Sequence, residues 1–210
     1  MTTSPEKQNK RDSYEALVSL ASAGYGYFTA KQARNLGYSW ATIENHLRRG
    51  RIRRTARGVY RLLSIPTDSH SQEREILLRA GDRAVLSHES ALALHQLSDV
   101  IPHKIHISLP RSARWQTFND KVIRIHFTSL PIAHADIETI DGIRVTKPAR
   151  TIVDCIEDHS APEQMQTAVT TALQRGSIQA SDLWRLAESR KSFVRTWLAQ
   201  YVRGFDRNAV

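Results

Sequence analysis

Cysteine is almost missing from this chain, which has a single one, Cys155. One thiol cannot make an internal disulfide, and it cannot build a Cys-rich zinc site. Long hydrophobic runs are missing too; none approaches the roughly 18 residues that read as a membrane span. The opening Met1-Thr2-Thr3-Ser4-Pro5-Glu6-Lys7 leads into polar residues, unlike a secretory signal. No Gly-rich loop matches the dinucleotide fingerprint or the Walker pattern. No serine sits in a Gly-x-Ser-x-Gly elbow. A metal-dependent nuclease needs clustered carboxylates with a strand-borne Glu-x-Lys, and Glu138-Thr139-Ile140 lacks the lysine. The expectation is a cytoplasmic protein that is not an enzyme, holds no metal or cofactor, and makes no membrane contact.

What the chain does have is positive charge, and in one place. Its 210 residues are 40% hydrophobic, enough for real cores, and its net charge is +9. Residues 1–65 carry 12 Lys and Arg against 4 acids, a net of +8. Residues 48–61 hold seven arginines and no acid. A block of this kind focuses positive potential and suits a polyanion.

Patterning predicts an α+β protein: a winged helix-turn-helix over 13–65, then a mixed α/β domain over 74–205 with a small sheet and a helical C-terminal end. Residues 1–12 are expected to be a disordered tail, and 64–73, with Pro66, a linker. Asp12 or Ser13 can cap a helix to Ala23, with Leu17, Leu20 and Ala21 facing inward. Thr29 and Gln32 have capping-box spacing for a second helix, with Ala30, Ala33 and Leu36 inward and Gly37 at its end. Ser39 caps a third helix that Gly50 closes. Ile52–Arg54 and Val59–Leu62 flank a hairpin turn. Helix, helix, tight turn, helix and hairpin make a winged helix-turn-helix.

The second half reads as strands near 84–86, 104–109 and 122–127, and a helix from Ser87 to Leu97. A hairpin over 137–145 turns at Asp141-Gly142. Helices follow at 148–157, 162–174, 181–188 and 192–201.

At about 100° per residue, Trp40, Ile43 and Leu47 share the packing face of the third helix. Ala41, Thr42, Asn45 and Arg49 lie opposite. Asn can bond adenine in two places and Arg guanine in two places. Thr29, Lys31 and Ser39 sit near helix starts, where phosphate is favoured. The candidate DNA-binding set is therefore Thr29, Lys31, Ser39, Thr42, Asn45, Arg48, Arg49, Arg51, Arg53, Arg54 and Arg57.

Six of the nine histidines fall between 88 and 134. His103 and His106 have a metal-like spacing, but three residues apart on a strand they point to opposite faces. The segment is read as polar surface with a few satisfied core imidazoles. Cys155 lies on an apolar helical stretch and is expected to be buried. Arg150 and Asp154 are spaced for an i,i+4 ion pair.

Several segments resemble the AbiEi family, the antitoxins of type IV toxin–antitoxin systems. They are Phe28-Thr29-Ala30-Lys31-Gln32-Ala33, His46-Leu47-Arg48-Arg49-Gly50-Arg51-Ile52, Arg57-Gly58-Val59-Tyr60, Leu86-Ser87-His88-Glu89-Ser90-Ala91-Leu92 and Ile143 through Asp154. The resemblance covers about residues 14–190, and none of its segments is a catalytic motif. It implies an N-terminal winged helix that binds an inverted repeat in its own operator and represses its operon. It also implies a C-terminal domain that counters a nucleotidyltransferase-like toxin without a stable complex. Two rival readings remain: a metal-dependent nucleic-acid-processing enzyme, and a winged-helix regulator with no toxin. Oligomeric state is not legible.

Overall fold

A proline at a helix's first position presets the backbone angle and gives up an N–H that would go unpaired. Pro5 stands there, and helix α1 runs Pro5–Ala23. This computed structural model describes residues 5–113, 121–129 and 132–202. The helix thus includes residues 5–12, which were expected to be tail. No glycine or β-branched residue interrupts them. Residues 1–4 lie outside the described set, as do 203–205 at the expected end of the second domain.

The chain divides into two compact units, Met1–Asp82 and Arg83–Val210. In the first, strand β1 (Tyr27–Thr29) follows α1, then α2 (Ala30–Asn35) and α3 (Trp40–Arg48), then β2 (Ile52–Ala56) and β3 (Val59–Leu62). The antiparallel sheet has the order β1-β3-β2. This is a winged helix-turn-helix, with β1 as an addition that the sequence reading did not contain. A three-residue strand is too short to show a period.

The capping box forms as expected: Gln32 N donates to Thr29 Oγ1 at 3.2 Å, and Thr29 N donates to Gln32 Oε1 at 2.7 Å. The turn to α3 passes through Gly37 at φ +84°, which only glycine adopts without strain. Ser39 Oγ then accepts from Thr42 N at 3.1 Å.

The core of this unit joins Leu17, Ala21, Phe28, Ala33, Tyr38, Ile43, Ile52, Tyr60 and Leu62. Two expected core positions differ. Leu36 is 45% exposed and Trp40 57% exposed. Each sits at a helix end, Leu36 as the C-cap and Trp40 as the first residue, beyond the reach of the core. His46 takes the buried place on α3 instead.

Helix α4 (Ser71–Ala80) belongs to this unit and not to the second domain. It packs on all three strands, so β3 is buried along its whole length. Arg61 is consequently turned inward, its guanidinium donating to the Ile65 carbonyl.

The second unit is built on a mixed five-stranded sheet. Its strands are β4 (Val85–Leu86), β5 (Ile105–Pro110), β6 (Ile123–Thr128), β7 (Ile137–Ile140) and β8 (Ile143–Thr146). Their order is β6-β5-β4-β8-β7. Asp141 and Gly142 both take positive φ in the β7–β8 turn, as that dipeptide predicts.

Helix α5 (His88–Leu94) is shorter than expected, because Gln96 turns at φ +54° before Leu97 enters the core. The helices α6 (Pro148–Glu157), α7 (Pro162–Gln174), α8 (Ala180–Ala187) and α9 (Ser192–Tyr201) complete the unit. α6 is its hub: Ile152, Val153 and Cys155 are fully buried, and α5, α7, α8 and α9 pack against it. Burial pushes the Cys155 thiol well above its ordinary value, and the neighbouring Asp154 charge adds to this.

Candidate nucleic-acid interface

An arginine run becomes a binding surface only if its side chains face water without acidic partners. Arg48, Arg49, Arg51, Arg53, Arg54 and Arg57 are all exposed. Among the described residues none of the six is in an ion pair. Arg48 and Arg49 close α3, Arg51 follows it, and Arg53, Arg54 and Arg57 lie on the wing. Arg53 and Arg54 point to opposite faces of β2, yet both reach solvent because β2 is the sheet's edge. Arg51 is steadied by the Tyr14 ring, 5.1 Å below its guanidinium carbon. Arg54 Nε donates to the Ala56 carbonyl at 3.3 Å.

The remaining predicted residues divide into two groups. Lys31 is exposed, and Thr42 and Asn45 are half-buried. Thr29 and Ser39 are occupied locally. Besides its capping bonds, Thr29 Oγ1 donates to Gln32 Oε1 at 2.9 Å, and Ser39 Oγ lies 2.9 Å from Thr42 Oγ1. Their structural work is to fix where α2 and α3 begin. Beneath the surface His46 lies between Tyr14 (stacked, 5.6 Å) and Tyr38 (5.8 Å). Burial lowers its pKa, and the Arg51 and Arg49 charges lower it further.

The second unit gathers polar side chains that the sequence reading left apart. The Arg150–Asp154 pair forms as expected, Nε donating to both carboxylate oxygens at 2.8 Å. Arg190 adds itself, at 2.6 Å from Asp154 and 2.6 Å from Glu157. Burial raises the Asp154 pKa, and the two guanidiniums pull it back.

The histidines divide between exposed His103 and His134 and the buried, hydrogen-bonded His88 and His106, as polar surface with a few core imidazoles; what the sequence reading left out is that the core ones cluster. His106 is buried on β5, whereas His103 is exposed and lies ahead of that strand, so strand alternation does not relate the two. His106, however, meets His88 and His126. The His88 and His126 rings stack 3.5 Å apart at 12°, and His126 Nε2 lies 3.2 Å from His106 Nδ1. His88, His126 and Asp158 bring one ligating atom each within 4.8 Å of one another. The available signal was alternation: His106 and Ser108 share one face of β5, and Arg124, His126 and Thr128 the matching face of β6.

Two family models match the chain. Residues 15–63 match one described as a transcriptional regulator, AbiEi antitoxin, and residues 83–201 match the AbiEi antitoxin C-terminal domain. No curated protein matches. The crystal structure of the RV2827C protein from Mycobacterium tuberculosis is similar, with a TM-score of 0.57 at 15% identity. The match covers 89% of this chain and 74% of that one, and at this identity the likeness is one of fold.

Proposed function

The chain belongs to the AbiEi antitoxin family, and from that premise we propose that it is a double-stranded DNA-binding autorepressor whose second unit counters a cognate toxin. The observation that carries the DNA reading is the exposure of six arginines, free of acidic partners among the described residues, on the end of α3 and the wing. In this reading α3 enters the major groove and presents Thr42, Asn45 and Arg49 to base edges. Lys31, Arg48, Arg51, Arg53, Arg54 and Arg57 hold phosphates, while the Thr29 and Ser39 caps fix the helix starts. Two copies on an inverted repeat place their centres about one helical turn, roughly 34 Å, or a multiple apart. The toxin is opposed in the type IV manner, without a stable complex.

The test is a footprint on the promoter upstream of the chain's own operon at several salt concentrations. The five arginines among these phosphate contacts by themselves give a slope of log K against log salt of about −4.5, which Lys31 steepens further. Arg49→Ala and Arg54→Ala are expected to abolish operator binding while still rescuing cells from the neighbouring toxin. A slope near zero, or loss of both activities in folded variants, defeats the reading.

A further inference from the structure

A cavity of about 890 Å³ opens within the second unit, lined chiefly by β6, α6 and the segment that joins α8 to α9. Five cations line it: Arg111 just after β5, Arg124 on β6, Arg150 on α6, and Arg190 and Lys191 ahead of α9. Three carboxylates accompany them, Asp154, Glu157 and Asp158.

The imidazoles in the wall add no charge at neutral pH. Burial lowers the pKa of His88, and His126, His106, Arg150 and Arg124 lower it further. Burial, followed by the Arg124 charge, brings His126 down to about 4. The lining therefore carries two positive charges in excess.

All three carboxylates are already engaged. Asp154 lies 2.8 Å from Arg150 and 2.6 Å from Arg190, Glu157 is 2.6 Å from Arg190, and Asp158 is 2.9 Å from Arg124. These pairs hold three guanidiniums in place around the cavity without exhausting them. Arg124 and Arg150 each give a carboxylate one nitrogen at hydrogen-bond distance, out of a group with five N–H donors. Arg111 and Lys191 are exposed and, among the described residues, in no ion pair. The Lys191 ammonium stands 6.0 Å from the Phe193 ring instead.

A concave surface with such a surplus draws in a small anion. Two positive charges in excess match one phosphate monoester, which carries about −1.5 to −2 at neutral pH; a phosphodiester carries only about half of that. Guanidinium forks also fit phosphate oxygens in shape. The volume lies in the range of pockets that take small organic ligands, so there is room for more than the phosphate itself.

We propose that this cavity is a binding site for a small phosphate dianion, free or esterified to a small molecule, held by Arg111, Lys191 and the unused donors of Arg124 and Arg150. The site is independent of the DNA reading.

Calorimetric titration of the full chain at neutral pH and low salt tests this, with inorganic phosphate and ribose 5-phosphate as the probes. One saturable site per chain is expected, for which the two probes compete, and the loaded protein melts at a higher temperature. Tighter binding of ribose 5-phosphate assigns the site to an ester, and equal or weaker binding assigns it to free phosphate. Arg111→Ala and Lys191→Ala each remove one charged contact and weaken binding about tenfold. Both side chains are exposed, so neither change disturbs the core. Arg195→Gln, at an exposed arginine outside the cavity, leaves binding unchanged. Absence of saturable binding, full affinity in folded Arg111→Ala and Lys191→Ala, or displacement of phosphate by a short oligonucleotide with no terminal phosphate overturns the proposal.

Discussion

Gly24 closes the turn between α1 and β1, and a Cβ placed on it meets the Tyr27 carbonyl oxygen at 2.2 Å. Backbone cannot move aside as a flexible side chain can. Gly24→Ala is therefore expected to cost about 1–3 kcal/mol, read as a lower midpoint in urea with the slope unchanged. His46 is the other position where one side chain decides a property of the unit. Its Nδ1 is buried without a hydrogen-bond partner among the described residues, and Arg49 and Arg51 oppose any charge on it. Because its folded-state pKa is depressed below 6.5, the unfolded chain takes up the proton first as pH falls. Its contribution is complete above pH 6.5 and declines as pH drops towards the folded value. Thermal unfolding of the first unit between pH 7.5 and 5 should show this decline. His46→Phe, which keeps an aromatic between Tyr14 and Tyr38, should flatten it; an equal slope in the variant would show that other groups are responsible.

Helix α3 is the element on which the DNA reading turns, and its two ends differ in what they contribute. Trp40 at its start is 57% exposed, so Trp40→Ala should change stability by no more than about 0.5 kcal/mol. The sequence reading, with Trp40 in the core, required several times that. Thr29→Ala at the start of α2 removes the hydroxyl's half of the reciprocal cap, its bonds with Gln32 N and Gln32 Oε1, leaves Thr29 N on Gln32 Oε1, and should cost about 1 kcal/mol. Chemical denaturation of the two variants side by side separates the exposed aromatic from the cap. In the second unit the element that matters is the β5–β6 pair, where parallel register sets His126 beside Ser108 and Arg124 beside His106. A strand pair that buries such a face needs every member satisfied, which is why the Ser87–Ser108 and His106–His126 bonds are present.

At the scale of the whole molecule the division at Asp82 assigns α4 to the winged helix. The first unit has its own core, and β3 at the centre of its sheet is buried along its whole length. Expressed alone, residues 1–82 are expected to unfold cooperatively and keep operator binding. Ending the piece at residue 65 removes α4 and uncovers Tyr27 and Arg61, so it should lose cooperativity; circular dichroism melts of the two lengths decide this. Among the described residues no helix is long and apolar enough to cross a membrane.

Local chemistry alone determined the capping box at Thr29, the Ser39 cap, the Asp141-Gly142 hairpin, the proline-started helices α6 and α7, and the arginine run. Each depends on residues within a few positions of one another, and that distance is within reach of side-chain and backbone propensity. Packing decided the rest. β1 exists because β3 offers it a partner, Trp40 and Leu36 stay outside because the core ends before them, and Arg61 turns inward because α4 covers the sheet. His88, His126 and Asp158 are separated by 38 and 32 residues, and no sequence period links them. Only the tertiary placing of α5, β6 and α6 brings them together.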